Sequence, residues 1–283
     1  MPEKPATALR YTAEQNQLVR ATCLYLATIL GDGIDDVVIV GGLVPSLLID
    51  QDALPAGVDR HAGSMDLDIG LTLDIFEGKR YEAITARLRR AGFSPDESDQ
   101  GNPTRQRWKI MEKGRKVTVD FLIPPANDSE AAGTIRDIEG DFAAVITPGL
   151  RLAFLDRKKV DLSGITIKGE KAKRSIWVCG PGAFVVLKAL AFRNRGEYKD
   201  AYDLYYHIRN YGGGVQDVAD ALKLLWGEVD VQLAFKILSE DFTVHDALGP
   251  IRVANFITGG KDDEIQADVV GFVLDLLGRC RTS

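Results

Sequence analysis

The stretch GSMDLDIGL, residues 63–71, constrains this chain more than any other. Asp66 and Asp68 alternate with Leu67 and Ile69 in the period-2 pattern of a half-buried strand, which places both carboxylates on one face. Like charges side by side repel, so that face must meet solvent or a cation. At 283 residues the chain suits one large domain or two ordinary ones, and 45% hydrophobic content can bury a sizeable core. No apolar run is long enough for a membrane span, and MPEKPATALRYTAEQNQ lacks the apolar core of a signal peptide. Cys23, Cys179 and Cys280 form no CxxC pair, which points to a reduced, cytoplasmic setting. With only His61, His207 and His245 available, a zinc site built from His and Cys is disfavoured.

The net charge of −6 is unevenly spread. Residues 151–199 carry twelve Lys/Arg against four Asp/Glu, a local +8, which leaves −14 for the rest. A basic stretch in an acidic protein suits a phosphate-bearing partner; on composition alone a solvated face is the simpler account.

Thr12 followed by Gln15 is a capping-box pattern that opens a helix to about Leu30. VVIV (37–40) reads as a buried strand ending at Gly41-Gly42, followed by a short helix through PSLLI with Pro45 near its first turn. After the acidic strand come a helix near 79–91 and a hairpin, RQRWKIM (105–111) and KVTVDFLI (116–123), turning at Lys113-Gly114. Residues 124–140 read as an exposed loop, and 143–147, 150–155, 159–168 and 175–179 as strands. From Pro181 onward the pattern is helical, which sets domains of 1–179 and 180–283.

An isolated DxD is most simply a solvated surface. Three features shift the balance. Asp120 lies in an otherwise apolar strand, where an unpaired charge is costly. Gly41-Gly42, between a strand and a helix, offers bare amides and a helix N-terminus suited to phosphate. Crowded carboxylates become favourable when they share Mg²⁺ or Mn²⁺, which prefers hard oxygen donors and bridges them to substrate phosphates. Strand–GG–helix, then DxD, then a third Asp on a later strand resembles the nucleotidyltransferase superfamily typified by DNA polymerase β. That resemblance implies an α+β fold: a polymerase-β-like nucleotidyltransferase mixed sheet flanked by helices, followed by a C-terminal helical domain.

A second constellation lies downstream. In AFVVLKALAF (183–192), Lys188 is the sole charge among apolar residues, so its ammonium must snorkel to solvent or meet an anion. In RNRGEYKDAYDLYYHI, Asp200 and Asp203 share one helical face beside Tyr202, Tyr205 and Tyr206, which read most simply as core. The combined pattern resembles the AbiEii/AbiGii toxin family, which includes the mycobacterial MenT toxins. The corresponding positions are Gly41 and Gly42; Ser64, Asp66 and Asp68; Lys188; and Arg195, Lys199, Asp200 and Asp203. Two departures stand out. Leu43 follows GG where the family usually has Ser or Thr, leaving Ser46 as the nearest hydroxyl. Ala62 stands where an Arg often sits, with Arg60 and His61 beside it.

The resemblance implies a type IV toxin that transfers a nucleotide from an NTP, releasing pyrophosphate, to an acceptor such as the tRNA 3′ end, and that is countered by a cognate antitoxin protein. It implies metal binding by Asp66, Asp68 and Asp120, with Asp120 also activating the acceptor hydroxyl. Gly41, Gly42 and Ser46 would hold phosphates, Ser64 belongs to the same motif, Lys188 would grip the triphosphate, and Lys199 and Asp203 would organise that pocket. KGEKAKR (168–174), Arg193 and Arg195 are candidates for an RNA path. Two other classes stay open: a nucleotidyltransferase acting on a small molecule or protein, and a non-catalytic binding member of the fold.

Overall fold

The computed structural model describes residues 5–127 and 129–281. Contacts divide the chain into two units, one from Ala13–Leu43 and Ser64–Cys179, the other from residues 5–12, Val44–Gly63 and 180–281. The strands are β1 (Val37–Val40), β2 (Asp66–Leu71), β3 (Ser94–Glu97), β4 (Pro103–Glu112), β5 (Arg115–Ile123), β6 (Ile135–Glu139), β7 (Phe142–Ile146), β8 (Arg157–Ile165) and β9 (Lys171–Cys179). The helices are α1 (Ala13–Leu30), α2 (Val44–Leu48), α3 (Arg80–Arg90), α4 (Leu152–Leu155), α5 (Pro181–Arg195), α6 (Tyr198–Asn210), α7 (Val215–Leu224), α8 (Val229–Asp241), α9 (Leu248–Thr258) and α10 (Asp263–Arg281). The architecture is α+β: a mixed sheet with helices against it, then a helical C-terminal region.

In the first unit the sheet runs β3-β4-β5-β2-β1-β9-β8, with β7 beside β5 and β6 beside β7. The pairs β2–β5, β1–β9 and β5–β7 are parallel and the others antiparallel. The β4–β5 hairpin closes through Lys113 and Gly114, both at positive φ (49° and 77°), the two-residue turn whose twist matches its strands. Alternation along β5 sends Val117, Val119, Phe121 and Ile123 into the core, where Phe121 meets Trp108 and Phe142 edge to face. Helix α3 covers this side, with the Arg89 guanidinium 5.5 Å from the Trp108 ring, and Tyr25 of α1 stacks on Phe93 just beyond α3. The opposite side of the same strands carries the polar residues described below.

Two local expectations change, and one strand was not foreseen. Residues 150–155 hold α4 rather than a strand, because a short apolar run carries no period that separates the two states. Within 124–140, Ile135–Glu139 pairs with β7 as an edge strand too polar to read as one. Strand β3 (SPDE) has no β-forming residues and exists through its ladder with β4.

In the second unit, α5 starts with Pro181 at its first position and is buried nearly all round. It packs on α6, α7 and α8, and close approach to α7 requires Gly182, where a Cβ would lie 2.9 Å from the Ala221 carbonyl. Tyr202, Tyr205 and Tyr206 are buried; Tyr202 and Tyr206 form a cluster with Ile49 and Phe256. No helix among the described residues is long and apolar enough to cross a membrane.

Candidate metal centre

Register brings the carboxylates together. Asp68 pairs with Asp120 across the parallel β2–β5 ladder, and Asp66 lies two residues earlier on the same face as Asp68. One oxygen from each of Asp66, Asp68 and Asp120 lies within 4.8 Å of the other two. On the other side of β2, Val40 pairs with Asp68, so the chain turns at Gly41 directly over that carboxylate. Gly41 has φ +71°, and a Cβ there would lie 1.8 Å from Asp68 Oδ2. Only glycine fits. Gly41–Leu43 forms a single 3₁₀ turn, and the helix that follows, α2, has five residues. Ser64 is buried, and its hydroxyl donates to Asp66 Oδ1 at 3.2 Å. Its backbone N–H donates to the Asn16 side-chain oxygen at 3.0 Å.

The residue that sequence analysis missed is Arg107. It faces Asp120 across the β4–β5 ladder and is 8% exposed. Its Nε donates to Asp120 Oδ1 at 2.5 Å, its Nη2 grips Oδ2, and Nη2 lies 3.6 Å from Asp66 Oδ2. The bond to Asp120 drives the Arg107 pKa above its ordinary value, against the opposing effect of burial. The repulsion foreseen for Asp66 and Asp68 is thus answered first by a guanidinium. Hard oxygen donors at this spacing fit a divalent cation, and Asp66, Asp68 and Asp120 could hold one.

The remaining expected residues form a network within the helical unit. Lys188 is 5% exposed, and its ammonium lies 2.9 Å from Asp200 Oδ1 and 2.7 Å from Asp203 Oδ2. The anion it meets among the described residues is therefore a pair of carboxylates. Lys199 also pairs with Asp203, and Arg195 grips Asp200 at 2.6 and 2.8 Å. Burial alone would lower the Lys188 pKa, but Asp200 and Asp203 more than offset it and the net shift is upward. Burial alone would raise Asp203; Lys188, Lys199 and His61 instead hold it well below the carboxylate range. His61 Nε2 lies 2.8 Å from Asp203 Oδ1, while its Nδ1 accepts the Gly63 N–H at 3.0 Å and lies 3.2 Å from Ser46 Oγ. Accepting at Nδ1 leaves the ring proton on Nε2, where it donates to Asp203. Burial, reinforced by Lys199, pushes the His61 pKa down to about 4. Arg60 pairs with Asp52 at the surface.

Of the basic stretch, Arg193 pairs with Glu240 and Asp241, and Arg195 with Asp200. The exposed cations Lys158, Lys159, Lys168, Lys171, Lys173 and Arg174 are spread along the β8–β9 hairpin, where Lys168 pairs with Glu112 and Lys173 with Asp161. A cavity of about 710 Å³ between α1, the β4–β5 turn and the end of that hairpin is lined by none of Asp66, Asp68 and Asp120.

No protein-family model matches the chain, and no curated protein matches it. Among solved structures, a match is the STING-associated CdnE c-di-GMP synthase from Capnocytophaga granulosa. The identity is 11% and the TM-score 0.29, over 97% of this chain and 85% of that one. At that score the likeness carries no weight for function. The AbiEii/AbiGii resemblance rests on its motifs alone.

Proposed function

We propose that this chain is a metal-dependent nucleotidyltransferase. It would move a nucleotide from an NTP to an acceptor hydroxyl and release pyrophosphate. The observation that carries this reading is the convergence of Asp66, Asp68 and Asp120 within 4.8 Å beneath a glycine turn that leaves no room for a Cβ. In the transfer, the acceptor oxygen bonds to the α-phosphorus, the α–β anhydride bond breaks, and pyrophosphate leaves in line. Asp120 takes the acceptor proton, Asp66, Asp68 and Asp120 would hold Mg²⁺ or Mn²⁺, and Ser64 orients Asp66 through its hydroxyl. The cation supplies charge neutralisation for the triphosphate and for the attacking oxygen. The Gly41 and Gly42 amides are assigned to phosphate. Ser46, Lys188, Lys199 and Asp203 take the triphosphate roles that the motif resemblance implies.

We assign the chain to the AbiEii/AbiGii toxins on the same motifs, with RNA, in particular the tRNA 3′ end, as acceptor, a cognate antitoxin as partner and the cytoplasm as setting. The exposed cations of the β8–β9 hairpin support a polyanionic acceptor, and the buried thiols Cys23, Cys179 and Cys280 suit a reducing compartment. The internal pairing of Arg193 and Arg195 shortens that basic path and favours, as second reading, a small-molecule or protein acceptor.

Incubation of the purified protein with Mg²⁺, each labelled NTP and total RNA should label RNA. Reversing Lys168, Lys171, Lys173 and Arg174 to Glu should reduce that labelling and flatten its salt dependence, while NTP binding survives. Equal labelling by the quadruple variant at every salt concentration would exclude the hairpin as the RNA path.

A further inference from the structure

We propose that the cavity between α1, the β4–β5 turn and the end of the β8–β9 hairpin binds a small amphipathic anion, an apolar chain that ends in a carboxylate. The site lies within the first unit and does not depend on the nucleotidyltransferase reading.

The cavity is preformed. Each pair of its three walls is tied together, so the ties close a ring. Glu14 of α1 pairs with Arg115 at the start of β5 at 2.5 Å. Glu112 at the end of β4 pairs with Lys168 of the hairpin at 2.9 Å. The Ile167 N–H of the hairpin donates to the Ala21 carbonyl of α1 at 3.2 Å. The backbone bond is the firm member and the ion pairs brace it. Walls joined in this way leave little to be ordered when a ligand enters. The volume, about 710 Å³, is in the range that takes a small molecule.

The lining is graded from apolar to charged. Leu24, Leu162 and Ile167 are buried and form an apolar floor, whereas Lys113 and Ile165 are exposed and stand at the mouth. Such a floor favours a hydrocarbon chain. The mouth sets the sign of the head group. Glu14, the acid of the lining, is engaged by Arg115, and Lys113 stands at the tip of the β4–β5 turn. Lys113 has φ 49°, in the left-handed region where glycine, asparagine and aspartate are preferred. The turn itself does not call for lysine there; an anion at the mouth of the cavity does.

The test is a titration of the full chain with hexanoate, octanoate and decanoate, and with the straight-chain alcohols of equal length, below their micelle concentrations and followed by amide chemical shifts. The carboxylates should bind, shift the amides of Ala21, Lys113 and Ile167, and gain about fourfold in affinity per added methylene. Lys113→Asn keeps a residue suited to the turn. It should cost the carboxylates about threefold to fivefold and leave the alcohols unchanged. Ala21→Phe, which puts a ring into the cavity, should abolish binding of both series. Absence of carboxylate binding, or binding that moves none of these amides, overturns the proposal. So does an unchanged carboxylate affinity, or an equal loss by both series, in Lys113→Asn, and so does unchanged binding by a folded Ala21→Phe. Should Ala21→Phe fail to fold, the shift map and the Lys113→Asn comparison decide.

Discussion

The two charge clusters of this protein differ in how they are sealed. On the sheet, three carboxylates meet a buried guanidinium. In the helical unit, Asp200 and Asp203 meet Lys188, Lys199 and Arg195. The helical carboxylates are fully buried, whereas Asp68 and Asp120 keep partial exposure. Burial is tolerable for the helical pair because each oxygen has a cationic partner; losing one partner would strand a charge. The sheet cluster stands on a face that is not sealed, so a ligand can reach Asp68 and Asp120.

The comparison breaks most visibly at Asp203. Asp203→Ala should destabilise the protein by about 3–5 kcal/mol, since it leaves Lys188 and Lys199 buried with too little negative charge. Thermal unfolding measures this, and an unchanged midpoint would mean that the network is not structural. Lys188→Ala separates the two roles open to that lysine. A collapse in stability with NTP affinity unchanged would make it structural, and the reverse would place it on the triphosphate.

The matching change on the sheet should act on chemistry instead. Asp68→Asn relieves repulsion among the carboxylates, so the unfolding midpoint should stay level or rise. Nucleotide transfer should fall roughly a hundredfold to a thousandfold. Unchanged transfer would remove Asp68 from the mechanism.

A smaller effect sharpens the same contrast through pH. His207 is fully buried one helical turn beyond Asp203, and neither ring nitrogen has a hydrogen-bond partner among the described residues. Burial pushes its pKa down to about 3, and that of His61 to about 4. Both folded values lie below the unfolded value of 6.5, so the unfolded chain binds more protons between these limits. Their contribution to stability is therefore complete above about pH 6.5 and lost as pH falls toward 4, by up to about 1.4 kcal/mol per pH unit for each histidine. His207→Phe should reduce that slope by about half between pH 6 and 5. It should not lower stability at pH 7, because it removes a buried polar ring without partners. Denaturant unfolding across this range checks it; an undiminished slope would assign the acid sensitivity to other groups.

Much of this was readable from local pattern. The period of two in DLDIGL and VTVDFLI, the turn residues Lys113-Gly114, and the helical spacing after Pro181 depend on neighbours along the chain. They sufficed to place most strands and helices and to nominate Asp66, Asp68, Asp120 and Gly41. Arg107 was within reach as well: counting back from a two-residue turn pairs position 107 with 120, and only the register had to be followed. The rest was decided by tertiary structure. No local pattern states that β2 lies between β1 and β5, which is what sets Asp68 between Gly41 and Asp120. Nor does any local pattern state that Lys188, alone in its helix, meets Asp200 and Asp203 of the next helix, or that His61, more than a hundred residues upstream, joins them. Sequence determines which residues share a face, because that depends on dihedral periodicity over a few residues. Which faces meet depends on packing between distant segments, and the partners of a buried charge are settled only there.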